Sequence, residues 1–316
     1  MADKLTIDRL KGIWAGVTLP WDERYGLDEA TFRENLRRLV AAGVHGIYTT
    51  GSTGEFYSLD PDEFRAVVDI FTDEVGPTDI PTQVGCHDVV THRVLGMVAY
   101  ARQAGAGAAQ LALPFWMKLA IEDVVRFWAD VSEAAPGFPL TSYNISRTDW
   151  YLYEEEYERI LQVAPGLIGI KWGGSPELDI ARLEGAVAAL PGLAHFVGEP
   201  RLLKAMKFGV RGCYSAWALV NPPLAVKMFE HAQAGQWDAA HAIHSRFTAF
   251  TDLMFDACKE FGLVVIDPTF DKACGVISGF LAGNQRTRPP YTGWSDDAVA
   301  IMKRRARDRF PDIMFA

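Results

Sequence analysis

Three short stretches carry residue types that could do covalent chemistry on a carbonyl. The first is Leu167-Ile168-Gly169-Ile170-Lys171-Trp172-Gly173-Gly174. It begins as an apolar run, which reads as a buried strand, and leads into a lysine. An amine in an apolar setting carries its charge less willingly, so its pKa is expected to fall. The neutral amine is a nucleophile whose natural product with a carbonyl is a Schiff base. The second stretch is Thr49-Thr50-Gly51-Ser52-Thr53-Gly54-Glu55. Two glycines flank Ser52 and Thr53, so the backbone can turn sharply and aim several N–H groups and two hydroxyls at one point, a concavity suited to a carboxylate or phosphate. The third is Ser142-Tyr143-Asn144-Ile145-Ser146-Arg147-Thr148. A tyrosine at a strand end can pass a proton to or from a substrate held on a neighbouring lysine. Arg147 can grip a second acidic group in a two-pronged contact. Each stretch also has an ordinary reading: a solvated strand-end lysine, a capped tight loop, a core tyrosine beside a surface arginine.

The elements that must position these residues alternate regularly. Short apolar runs begin near Ile13, Gly46, Thr82, Ala109, Pro139, Leu167, Ala194 and Gly212. Helical patterns fall between them. Asp28 to Ala42 carries Phe32, Leu36, Leu39 and Val40 at helical spacing. Asp60 to Val75 opens on an N-cap aspartate with Pro61 at its first position. Eight strand-like runs about thirty residues apart predict an α/β chain folded as a (β/α)8 TIM barrel. From Pro222 the pattern becomes consecutive helices, so the expected division is a barrel over 1–221 that carries the active site and a C-terminal helical extension over 222–316. In such a barrel the site lies where the strands end and the βα loops start, which is where all three stretches fall.

Composition narrows the partners. The chain has 316 residues, 49% of them apolar, with a net charge of -9 and a pI near 5.3. That balance argues against nucleic acid and anionic membrane surfaces, both of which call for a basic patch. No apolar run approaches the roughly 18 residues of a membrane span, and the first residues lack the basic-then-apolar pattern of a signal peptide. Cys86, Cys213, Cys258 and Cys274 are widely spaced, which suggests reduced thiols. The expected setting is soluble and cytoplasmic.

Taken together, the three stretches resemble the dihydrodipicolinate synthase / N-acetylneuraminate lyase family of class I aldolases. Gly51-Ser52-Thr53-Gly54-Glu55 is similar to that family's pyruvate loop, Tyr143-Asn144 to its proton-relay motif, and Gly169-Ile170-Lys171 to its Schiff-base lysine, 28 residues after the tyrosine. Gly46, Ile47 and Glu63 fit the wider signature, and Gly198 and Gly212 to Ser215 fall at its late strands. The resemblance implies that Lys171 attacks the ketone of pyruvate or another 2-oxo acid, that Ser52 and Thr53 hold the carboxylate, and that Tyr143 shuttles protons. The partner is then an aldehyde and no cofactor is required, because the iminium itself stores the electron pair. A homo-oligomer, dimer or tetramer, is implied on the same ground.

Departures from the family shift the expected substrate. Where the synthase branch places paired tyrosines, this chain has Pro114-Phe115-Trp116-Met117, without an acidic hydroxyl, which argues against lysine biosynthesis. The tyrosine motif lacks its proline and is one residue shorter before Arg147. Phe115, Trp116, Trp150, Trp172 and Tyr214 are expected to make the mouth aromatic, and such rings stack on flat ligands. Trp116 and Cys213-Tyr214-Ser215 resemble the hydratase-aldolase branch that cleaves benzylidene-pyruvates. A sugar-acid dehydratase or aldolase would draw on Asn144, Arg147, Ser175 and Glu199, and a catalytically silent 2-oxo-acid-binding protein is the reading from another class. His87, Asp88 and His92, like His241 and His244, do not give convergent metal-ligand spacing. No nucleotide-binding glycine loop and no nucleophile elbow is present.

Overall fold

A computed structural model describes residues 5–148, 150–174 and 178–315; Ser175 lies outside the described residues. Eight parallel strands close into a barrel in chain order: β1 (Gly12–Gly16), β2 (Gly46–Thr49), β3 (Thr82–Gly85), β4 (Ala108–Leu111), β5 (Leu140–Asn144), β6 (Leu167–Trp172), β7 (Ala194–Val197) and β8 (Gly212–Ser215). Helices α1 (Glu29–Ala41), α2 (Pro61–Val75), α3 (Thr91–Gln103), α4 (Ile121–Ala134), α5 (Glu154–Val163), α6 (Ile180–Ala189), α7 (Glu199–Ala205) and α8 (Pro222–Gln233) alternate with them. Three more follow: α9 (Trp237–Glu260), α10 (Asp267–Ser278) and α11 (Asp296–Arg309). The helix starts read from sequence are where the caps are. Asp60 accepts from the N–H groups of Asp62 and Glu63 ahead of Pro61, and Asp28 accepts from Thr31.

Strand alternation sorts the side chains. One face of each strand meets the outer helices in a large apolar core. The other fills the barrel with Leu10, Trp14, Tyr48, Ala108, Phe196 and Tyr214 among others. Big rings sit opposite missing side chains: a Cβ on Gly46 would lie 2.2 Å from the Trp14 ring. The pairing of β5 with β6 slips after Leu140, from Leu140↔Leu167 to Thr141↔Gly169, and leaves Ile168 as an extra residue. Such a bulge changes which face the following residues occupy. Beyond it Tyr143 pairs with Lys171 and Asn144 with Trp172, so β6 runs two residues past the apolar run seen in sequence and delivers the lysine beside the tyrosine.

The helix α8 packs against β1, which is the place of the eighth barrel helix, although the sequence division counts it with the extension. The extension proper is α9 to α11. Its middle helix, α10, is buried from Pro268 to Ser278 and sits over the catalytic end of the barrel. The site is therefore built from both parts of the chain. Among the described residues no helix is long and apolar enough to cross a membrane.

Candidate active site

The strands end in a cavity of about 310 Å³, at the small end of the range for ligand pockets. Ser52, His87, Phe115 and Arg147 line it from the βα loops, Tyr143 from the end of β5 and Asp267 from α10. Lys171 keeps part of its surface exposed. Its Nζ lies 4.2 Å from the centroid of the Tyr143 ring and 5.1 Å from that of Tyr214. Nucleophile and phenol are thus in contact, and Tyr143 borders the cavity.

The charge on Lys171 departs from the sequence expectation. Burial pulls its pKa down, but Tyr143, Tyr48, Asp267 and Tyr214 together outweigh burial and the net shift is upward. Asp267 brings a carboxylate to this set, and the faces of two rings lie against the ammonium. The resting lysine is therefore protonated. Below it Tyr214 donates to Gln83 Oε1 at 2.5 Å and is pushed up to about 12, chiefly by burial. It belongs to the barrel interior rather than to the mouth, where it was expected.

The Thr49–Glu55 loop is a strained turn. The left-handed conformation falls on Thr50 (φ 53) and Glu55 (φ 50), not on the glycines. For a β-branched residue this is costly. It is held by the Thr50 hydroxyl, which donates to the carbonyls of Thr49 and Gly85 at 2.8 Å. Gly51 is needed for close approach: a Cβ there would lie 2.7 Å from the Tyr48 ring. Ser52 faces the cavity. Thr53 is turned away from it and donates to Asp271 Oδ2 at 2.7 Å. Asp271 is held well above the usual carboxylate range by burial and by the charge of Asp267. Glu55 accepts from Trp21 Nε1 at 2.9 Å, from the Arg288 backbone N–H at 3.0 Å and from the Lys272 ammonium. The loop is thereby pinned to α10 and to the segment beyond it.

Several expected ligand contacts are structural instead. Asn144 donates to the Leu152 carbonyl at 2.7 Å and accepts the Leu152 N–H at 3.0 Å. Both ends of its amide are spent on closing the loop after β5. Arg147 does border the cavity, but its guanidinium is already in a two-pronged pair with Asp267, at 2.9 and 3.0 Å, so it offers no uncompensated charge. Trp116 is 82% exposed and lies in an outer groove beside Val89 and Met117, while its neighbour Phe115 turns into the cavity. Trp172 follows the inward lysine and so points outward. It is buried, donates to His195 Nδ1 at 2.9 Å and stacks on that ring. Trp150 packs against the outer core. Gly198 caps α7, and Glu199 accepts the N–H groups of Ala216 and Trp217. Sequence reasoning missed Asp267 and Asp271 of α10 and Tyr291 of the segment beyond it, because nothing local marks any part of the extension as a wall of the barrel mouth. It weighed His87 only as a metal ligand.

The comparisons agree with this architecture. The model of the dihydrodipicolinate synthetase family matches residues 9–299. The chain belongs to that family. Its members are lyases, and so is this protein. It is 30% identical over 301 residues to a 4-hydroxy-tetrahydrodipicolinate synthase of Methanopyrus kandleri, covering 94% of this chain and 95% of that one. It is 31% identical over 296 residues to a DapA-like lyase of Halobacterium salinarum, covering 93% and 92%. Among solved structures, a prophage protein of the dihydrodipicolinic acid synthase family from E. coli K12, in complex with pyruvate, superposes with a TM-score of 0.84. It is 21% identical, with 95% of this chain and 98% of that one covered. That likeness shows the shared fold.

Proposed function

We propose that this family member is a class I, Schiff-base-forming aldolase that adds pyruvate to, or releases it from, an aldehyde with an aromatic or otherwise apolar body. The observation that carries the reading is the Lys171 ammonium against the ring of Tyr143 on paired positions of β5 and β6, beside a cavity reached by Ser52. In the reaction Lys171 attacks the ketone, and water leaves as the iminium forms. Ser52 and the backbone N–H groups of its loop hold the carboxylate. Tyr143 moves the protons of carbinolamine and aldol. The enamine supplies the electron pair, so no cofactor takes part.

The second substrate follows from the rest of the lining. Phe56, Tyr57, Phe115, Ile145 and Tyr291 face the same space, and Arg147 is neutralised by Asp267. An apolar wall without an unpaired cation favours a flat, uncharged aldehyde over a sugar acid or a second carboxylate. The hydratase-aldolase assignment rests on these side chains, with Phe115 in the part expected of Trp116. A relative is named 4-hydroxy-tetrahydrodipicolinate synthase, but Phe115 brings no phenol to the bowl where that branch has a tyrosine. The test is intact mass after incubation with pyruvate and borohydride. A gain of roughly 72 Da in the parent, absent from Lys171→Ala, supports the Schiff base. A parent that gains nothing with pyruvate or larger 2-oxo acids sinks the reading. A screen of benzaldehydes against glyceraldehyde then separates the two substrate classes.

A further inference from the structure

His87 stands just beyond the end of β3 and is 3% exposed. The backbone N–H of Ala112, just beyond β4, donates to its Nδ1 at 3.0 Å. A nitrogen that accepts carries no hydrogen, so the neutral ring must hold its hydrogen on Nε2. That atom is buried and has no hydrogen-bond partner among the described residues. Buried polar groups without partners are rare, because they lose their hydration for nothing in return. The ring is not loose. Phe56 packs edge-on to it at 5.0 Å, Tyr143 lies 6.1 Å away, and the ring borders the cavity between them. Gly85 makes the placement possible, since a Cβ there would sit 2.8 Å from Nε2 and 2.3 Å from the Thr50 carbonyl oxygen.

We propose that His87 is a catalytic residue whose Nε2–H holds the carbonyl oxygen of the second substrate. The inference rests on the aldolase reading given above. Pyruvate is provided for by Lys171 and the Ser52 loop, and the unpartnered Nε2–H belongs to a ring that lies beside Tyr143 and borders the same cavity. As the enamine C3 forms its bond to the aldehyde carbon, the carbonyl π pair moves onto oxygen. His87 holds that oxygen without giving up its proton, the Tyr143 phenol protonates it, and water hydrolyses the iminium to free the product and Lys171. A neutral donor suits this step because it stabilises the developing charge without trapping it. Burial and the nearby Lys171 charge keep the imidazole neutral, with its pKa down to about 3.

The experiment compares the parent with His87→Leu and His87→Gln, the glutamine replacing the N–H at similar reach. Borohydride trapping and deuterium exchange at pyruvate C3 report Schiff base and enamine without any aldehyde. Turnover of pyruvate with benzaldehyde or glyceraldehyde reports the aldol step. In His87→Leu, trapping and exchange should stay within roughly threefold of the parent while aldol turnover falls about 100- to 1,000-fold, and His87→Gln should recover about tenfold of that loss. Unchanged aldol turnover, or trapping and exchange lost in step with it, overturns the proposal. A parent that exchanges deuterium but turns over neither aldehyde is examined by the 15Nε2 resonance of His87 with pyruvate bound. A resonance unmoved by saturating aldehyde also overturns it. A parent that neither traps nor exchanges pyruvate fails at the aldolase reading itself.

Discussion

Lys171 illustrates why a residue's environment must be summed rather than named. Desolvation alone would make it an amine at rest. The charges of Tyr143, Tyr48, Asp267 and Tyr214 outweigh burial and turn the net shift upward. The reactive fraction is then the small deprotonated part, which grows tenfold per pH unit anywhere below the raised pKa. Adduct formation with pyruvate, trapped by cyanoborohydride, should accordingly accelerate by roughly tenfold per unit between about pH 6 and pH 9. A flat profile would mean a lysine already neutral. His87 sets a second dependence. Its folded pKa, about 3, lies below that of the unfolded chain, about 6.5, so between those values the unfolded state binds the extra proton. Stability contributed by the neutral ring is thus present above about pH 6.5 and falls by roughly 1.4 kcal/mol per unit as pH drops toward 3. Urea melts of the parent and His87→Leu should show the parent's acid slope steeper by that amount.

At the scale of elements, two devices build the site. The bulge at Ile168 brings Lys171 level with Tyr143; without it the alternation of β6 would turn the lysine toward the outer helices. The second device is α10, which ties the pyruvate-loop candidate to the extension through Thr53–Asp271 and Glu55–Lys272. The Glu55–Lys272 pair is almost wholly enclosed, and burial draws the Lys272 pKa down to about 8 against the pull of Glu55. Removing one partner of such a pair leaves a stranded charge. Lys272→Met should cost about 3–5 kcal/mol in urea unfolding, and adding Glu55→Gln should restore most of it. If the single change costs no more than a surface substitution, α10 is not what holds the loop.

The whole molecule is a barrel whose mouth is finished by its own C-terminal helices. Arg147 of the β5 loop pairs with Asp267 of α10, and both line the cavity. On the opposite side of the β4 loop, Trp116 and Met117 are exposed, at 82% and 72%, with Val89 and Val90 nearby on the surface. Large exposed apolar side chains of this kind commonly mark contact surfaces, and the proposed homo-oligomer, dimer or tetramer, would have use for them. Light scattering measures the solution mass directly. A solution mass that is a multiple of 35.0 kDa is expected, and a single-chain mass would end the proposal.

The division between what sequence alone determines and what the tertiary structure decides follows the range of the interactions. Local signals are enough for the alternation of eight strands with helices, the caps at Asp28 and Asp60, and the grouping of Ser52, Tyr143 and Lys171 at strand ends, since each depends on a few neighbouring residues and a fixed period. The directions of Trp116, Phe115 and Trp172 are decided by how the chain leaves β4 and β6. The amide of Asn144 is spoken for by Leu152, and Arg147 by a carboxylate 120 residues further on. The protonation of Lys171 and the tautomer of His87 are sums over groups from five strands, their loops and α10. Such sums exist only once the chain has closed, because charge, burial and hydrogen bonding act through space while a sequence reports only distance along the chain.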